Sequence, residues 1–319
     1  MKNAGTGVTS GQPSNQEVQE RQDFLPMSLR PKISPKRKGL TSSTDLGYHS
    51  AVATGVKYPS FVTNINSKRK TKMPNFKDHP RDQRVKALIC GDPGSGKTGA
   101  LATLINADYK IAVLDFDNGL DILHSYVEED KLGNLDYISF DVENQETPDV
   151  AKNILRHWKY KDMDLGPVTE WGSDKVIVID SASLYGECLL AHSKKSDGRM
   201  RYFDAGQELK RVIQFLTGPQ VKCNVIVNTH IQTIENDQGM MKGYPQMIGS
   251  AVSKSIGRYF NNLWRLDSKR MGRESVPIVR TKSDSFMALK CSAPKAVDAE
   301  HPLDYAEMFL KIKSNQRKD

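Results

Sequence analysis

Eight residues, Gly91-Asp92-Pro93-Gly94-Ser95-Gly96-Lys97-Thr98, read G-x-x-x-x-G-K-T, a spacing suited to holding phosphate groups. The glycines let the backbone turn tightly and aim successive N–H groups at one point, where a phosphate can sit. The Lys97 ammonium can then reach the outer phosphates, and the Thr98 hydroxyl can hold Mg²⁺. Together these residues could bind and cleave a nucleoside triphosphate. The run Val176-Ile177-Val178-Ile179-Asp180 adds an acid at the end of an apolar stretch. Beside a phosphate loop, Asp180 can bind the water shell of the metal; the plainer role is to cap the next helix.

Hydrolysis also needs a group that orients the attacking water. Asp115, Asp117 and Asp121 stand at the end of the apolar run 111–114. Asp117 is favoured, because the carboxylate must reach past the strand end toward the terminal phosphate. Asp115 could instead cap a helix or stabilise the fold, and Asp121 suits a solvated helix. A polar cluster, Asn228-Thr229-His230-Ile231-Gln232, closes another apolar run. Such a cluster can sense the terminal phosphate and pass its state to the loop that follows. A histidine at a strand end also serves as a plain structural hydrogen-bonder.

Alternating elements must position these groups. The runs 85–90, 111–115, 175–180 and 223–228 predict strands, and 98–105 predicts a helix after the phosphate loop. Another helix begins at Thr147, with Val150, Ile154, Leu155 and Trp158 on one face, and a third covers 203–216. Near-continuous apolar strands separated by helices predict an α/β fold with a mainly parallel sheet and helices on both faces. The short runs 263–266, 277–281 and 286–289 predict an antiparallel C-terminal extension, followed by a helix near 303–310.

The net charge of +8 is unevenly placed. Residues 1–85 hold 15 Lys and Arg against 6 Asp and Glu, and the remainder is one charge acidic. The chain therefore divides into a basic, largely disordered segment over 1–84, a core over 85–312 and a polar tail over 313–319. Two basic clusters, at 34–38 and 68–72, could contact nucleic-acid phosphates or simply keep the segment soluble. No run of about 18 apolar residues exists, so no membrane span is expected. Cys90, Cys188, Cys223 and Cys291 are widely separated and fit reduced thiols, which points to a cytoplasmic chain. Two stretches, 191–203 and 232–249, read as loops that mix cations with rings: Lys194, Lys195, Arg199, Arg201 and Tyr202 in the first, Lys242 and Tyr244 in the second. That mixture suits a single nucleic-acid strand, whose bases stack while its phosphates pair. Ordinary surface loops have the same composition.

The order of motifs (111–121, then 176–181, then 225–232) resembles the ATPase core of RecA-type recombinases. With Lys242-Gly243-Tyr244-Pro245, the run 257–262 and Arg280-Thr281-Lys282-Ser283, the chain is similar to phage-encoded single-domain RecA-like ATPases that act as single-strand annealing proteins. The resemblance covers 85 to about 294 and implies a RecA-like fold. It makes Gly91 to Thr98 the ATP phosphate loop, Thr98 and Asp180 the Mg²⁺ ligands, Asp117 the water-orienting acid and His230 the phosphate sensor. It implies DNA contacts in the two loops and a homo-oligomer, filament or ring, in which Arg280 and Lys282 reach a neighbour's ATP. A single-strand DNA-binding protein is a further partner it suggests. Two residues depart from the recombinase pattern: Asp117 stands for Glu and His230 for Gln. An ATP-dependent single-stranded DNA-binding protein is the expected function. The alternative is a nucleotide-gated module that recruits replication or recombination proteins and turns over little ATP.

Overall fold

The computed structural model describes residues 84–316; the N-terminal segment expected to be basic and disordered lies outside them, apart from Arg84. In chain order the elements are β1 (Lys86–Cys90), α1 (Leu101–Asn106), β2 (Lys110–Asp115), β3 (Leu135–Ser139), α2 (Thr147–Ile154), β4 (His157–Tyr160), β5 (Met163–Pro167), β6 (Lys175–Asp180), α3 (Ala182–Ala191) and α4 (Gly198–Thr217). There follow β7 (Asn224–Thr229), β8 (Ile231–Glu235), β9 (Met241–Pro245), α5 (Ser250–Ser255), β10 (Asn262–Met271), β11 (Glu274–Arg280), β12 (Glu300–Pro302) and α6 (Tyr305–Gln316).

The main sheet has the order β12-β11-β10-β1-β7-β6-β2-β3. Its strands from β10 to β3 run parallel, while β11 and β12 are antiparallel. Alternation along each strand sends side chains to opposite faces. Leu88 and Cys90 enter one buried cluster with Leu209, Val212 and Ile213 of α4. Ala87 and Ile89 enter another with Leu101 and Leu104 of α1 and Met308, Phe309 and Ile312 of α6. Both faces of β1, β6 and β7 are covered, which is why their sequences are almost continuously apolar.

Several boundaries differ from the sequence expectation, each for a local reason. The helix after the phosphate loop starts at Leu101, because Gly96 and Gly99 leave 97–100 as turns. Helix α2 ends at Ile154, so Trp158 lies in the β4–β5 hairpin, where its indole N–H meets the Met163 sulfur at 3.2 Å. Asp197 caps α4 by accepting from the Met200 N–H at 2.9 Å, so half of the expected 191–203 loop is helical. The expected 232–249 loop contains a hairpin, β8 against β9. The run 263–266 sits in β10, which is parallel to β1, and 286–289 forms no strand; its neighbour Lys290 makes one bridge to Leu263. The outer antiparallel strand is β12 instead. Helix α6 runs on to Gln316, past the expected end near 310, since Ile312 still packs into the core and the Lys313 ammonium bonds the Ser173 carbonyl at 3.1 Å.

Candidate active site

Strand order brings the chemistry together. The phosphate loop leaves the C-terminal end of β1, and β7 lies between β1 and β6, so Asp180 and His230 emerge beside it. The loop is fixed to β7 by the Gly91 N–H, which donates to the Thr229 carbonyl at 3.1 Å. Gly94 and Gly96 take φ of +76° and +91°, and a β-carbon on Gly96 would meet Leu303 at 2.8 Å. Only glycine satisfies both demands there.

Lys97 is 6% exposed, and its ammonium donates to the carbonyls of Gly91 (2.9 Å) and Asp92 (3.0 Å). Burial lowers its pKa, and the carboxylates of Asp180, Asp117 and Asp92 partly counter that. Thr98 Oγ1 donates to Asp180 Oδ2 at 2.7 Å. Asp180 is 1% exposed, and burial pushes its pKa up to about 6 against the opposing hydrogen bond from Thr98.

Asp117 Oδ1 accepts from the Ser181 N–H (3.0 Å) and hydroxyl (2.8 Å), while Oδ2 lies 3.6 Å from His230 Nε2. The three candidate acids thus take different positions. Asp115 is buried, with its oxygens turned to the Gly119 N–H and the Ser139 hydroxyl, both at 3.4 Å, and burial raises its pKa. Asp121 is exposed on a short 3₁₀ turn. The His230 N–H donates to Ser183 Oγ at 3.0 Å, and its carbonyl accepts from the Gln246 N–H at 2.8 Å, just past β9.

Several polar atoms around this mouth are buried without a hydrogen-bond partner among the described residues: Ser95 Oγ, Asp180 Oδ1, both amide atoms of Asn228 and His230 Nδ1. Such groups are costly unless something pairs them. They fit a triphosphate with its metal, with Thr98 and Asp180 as the metal-holding pair and the 94–98 backbone as the phosphate cradle.

The remaining expected site residues are scattered around this centre. Arg280 on β11 is bound by Asp267 of β10 at 2.7 Å and Glu300 of β12 at 2.5 Å, and Lys282 is exposed. Asp267 itself borders a cleft of about 420 Å³ that also includes Asp92, Pro93, Gly94 and Ser95. Lys194, Lys195, Arg199 and Tyr202 are exposed at the start of α4 and the turn before it. Arg201 instead bonds the Leu190 (3.0 Å) and Ala191 (3.2 Å) carbonyls that end α3. Lys242 bonds the Ser285 carbonyl, and Tyr244 is half-buried beneath the Lys254 ammonium. Sequence reasoning did not single out Ser183 or Gln246. Their only signal is small polar character, and their link to His230 depends on how β7 and β9 meet.

A model of the AAA domain family matches residues 83–288. The chain belongs to this family. With this membership the chain is a nucleotide-binding ATPase. No curated protein matches the sequence. Among solved structures, the chain is similar to the flagellar accessory protein FlaH from Methanocaldococcus jannaschii, with 16% identity and a TM-score of 0.35 over 68% of this chain and 83% of that one. It is also similar to the KaiC-like protein PH0186 from Pyrococcus horikoshii OT3, with 14% identity and a TM-score of 0.32 over 63% and 79%. No helix among the described residues is long and apolar enough to cross a membrane.

Proposed function

We propose that this ATPase is an ATP-dependent single-stranded DNA-binding protein that promotes strand annealing or recombination in phage DNA metabolism, in the host cytoplasm. The observation that carries this reading is the path from Asp117 to the β8–β9 hairpin. His230 faces the Asp117 carboxylate at 3.6 Å, and its backbone carbonyl holds Gln246, the residue that follows the hairpin bearing Lys242 and Tyr244. A group that senses the terminal phosphate is thus one hydrogen bond from a candidate DNA-facing element. Lys194, Lys195, Arg199 and Tyr202 add exposed cations and a ring at the start of α4.

In this function Lys97 exchanges its two carbonyl acceptors for phosphate oxygens of ATP. Asp117 accepts a proton from water and directs it at the terminal phosphate, with Ser181 fixing the carboxylate's orientation. Mg²⁺, held through Thr98 and Asp180, would neutralise charge on the phosphates. Arg280 and Lys282 act on the ATP of a neighbouring protomer in a filament or ring. A second reading, nucleotide-gated recruitment of replication or recombination proteins such as a single-strand DNA-binding protein, draws on the shorter Asp117 and on its double hydrogen bond to Ser181.

ATP hydrolysis by the protein alone, with single-stranded DNA and with duplex DNA tests the first reading. Strong stimulation by single strands supports it. ATP binding without stimulation favours the recruitment module and overturns the DNA-dependent one.

A further inference from the structure

On the far side of β9 lies a cleft of about 320 Å³ between this strand, α5 with the turn after it, and the segment 287–290. Lys254, Arg258 and Lys290 line it, and no aspartate or glutamate does. The concentration of like charge is local, because the chain beyond residue 85 is one charge acidic. Leu263, Met287 and Leu289 form an apolar base, and Tyr244 adds a ring with the Lys254 ammonium 6.0 Å above its centroid.

The cations in this cleft have spare capacity. Lys290 is half-buried with its backbone fixed to Leu263, and its ammonium has no ion pair or hydrogen bond among the described residues. Arg258 uses Nε on the Ser255 carbonyl at 2.9 Å, which leaves its terminal amino groups open. Burial draws the Lys290 pKa below its ordinary value. An anion would supply a counter-charge. Phosphates spaced along a chain, with a flat base between them, match three cations and a ring that line one cleft.

We propose that this cleft binds single-stranded nucleic acid, with Lys254, Arg258 and Lys290 on phosphates and Tyr244 stacked on a base. The inference rests on the DNA-binding reading and gives it a place. The cleft is also mechanically close to the nucleotide. Tyr244 stands two residues before Gln246, whose N–H holds the His230 carbonyl at 2.8 Å. The other edge of β9 is pinned by the Gly243 N–H to the Phe286 carbonyl at 2.8 Å, and a β-carbon at Gly243 would collide with the Phe286 ring. A strand seated here therefore touches the same element that His230 positions.

The test uses full-length protein with ATP and a labelled oligothymidine, following fluorescence anisotropy over a salt series. The triple variant Lys254→Ala, Arg258→Ala, Lys290→Gln should weaken binding at least about tenfold. It should also make the slope of log affinity against log salt shallower by about 2, at roughly 0.7 per lost phosphate contact. Tyr244→Leu should weaken binding about tenfold and leave that slope in place. Unchanged affinity and slope in a triple variant that still binds ATP would overturn the proposal. If the triple variant fails to bind ATP, the single changes at exposed Lys254 and Arg258 carry the test, each expected to lower the slope by about 0.7. Wild-type protein that ignores oligothymidine at every salt concentration removes the DNA-binding reading itself. Capture of a polyglutamate peptide through the same cations would then make the cleft an acidic-protein site.

Discussion

The Thr98 hydroxyl and the Asp180 carboxylate share a 2.7 Å hydrogen bond, which joins the last residue of the phosphate loop to the last residue of β6. The second oxygen of Asp180 is buried without a partner among the described residues. Burial, with the nearby Asp117 and Asp115 carboxylates, keeps the carboxyl protonated up to about pH 6. Under the proposed function a metal held by this pair would replace that proton.

Asp180 should therefore make stability depend on pH. An unfolded aspartate releases its proton near pH 4, whereas the folded chain holds it to about pH 6. Stability from this group is present below about pH 4 and is lost as pH rises to 6, by on the order of 2–3 kcal/mol. Neighbouring Lys97 opposes the loss, while Asp117 and Asp115 add to it. Asp180→Asn should raise the urea midpoint of nucleotide-free protein at pH 8 and leave it unchanged near pH 4. It should also abolish Mg²⁺-dependent nucleotide binding. A lower midpoint at pH 8 would contradict this account.

Asp117 and His230 should separate catalysis from binding. Asp117→Asn keeps an acceptor for Ser181 but gives up the base, so single-turnover ATP hydrolysis should fall about 10²- to 10⁴-fold with nucleotide affinity little changed. His230→Ala should slow hydrolysis less and uncouple it from DNA, because the imidazole facing Asp117 is lost while the backbone bond to Gln246 keeps the hairpin in place. A full-rate Asp117→Asn enzyme would remove the water-orienting role.

Arg280 on β11 is held between β10 and β12 by Asp267 and Glu300, partly exposed pairs that contribute little to stability. Arg280→Ala should thus fold normally and lose ATPase activity only under conditions where the protein assembles. Mixing it with Lys97→Ala subunits should restore part of the activity. If mixtures stay as inactive as their components, the contact across protomers is refuted.

Asn224 should matter for the fold alone. Its fully buried amide accepts from the Val85 N–H at 3.0 Å and donates to the Ser173 (2.8 Å) and Lys175 (3.1 Å) carbonyls, tying the starts of β1, β6 and β7 together. Asn224→Ala leaves these groups unpaired and should cost about 1–3 kcal/mol, read as a lower urea midpoint. ATP affinity at low temperature should be unchanged.

Much of the candidate site was legible because its residues are neighbours in sequence. Gly94, Gly96, Lys97 and Thr98 act through one turn of backbone, so their order alone predicts a phosphate site. Asp180 was legible for a similar reason: an apolar strand that ends in a carboxylate must deliver it at the sheet edge. The parallel sheet followed from strands apolar on both faces, and the antiparallel edge from short runs near the C-terminus. What misled was the outer edge, where 286–289 has strand-like residues but gives only the Phe286 carbonyl to β9, the bridge to β10 being made by its neighbour Lys290.

The sequence by itself determined the G-x-x-x-x-G-K-T motif, the acid that ends β6, the α/β class and the basic N-terminal charge, since each depends on residue type and short spacing. Only the tertiary structure decided direction and partnership. Asp115 and Asp117 are two residues apart with the same chemistry, yet one turns to Ser139 and the other to Ser181 and His230. Arg201 matches its basic neighbours in type, and the fold uses it on the carbonyls of α3. Lys254, Arg258 and Lys290 line one cleft with Tyr244 because Lys290 bridges Leu263 of β10 while neighbouring Phe286 holds Gly243 of β9. Side-chain direction and long-range neighbours depend on strand order, and no local run of residues contains that information.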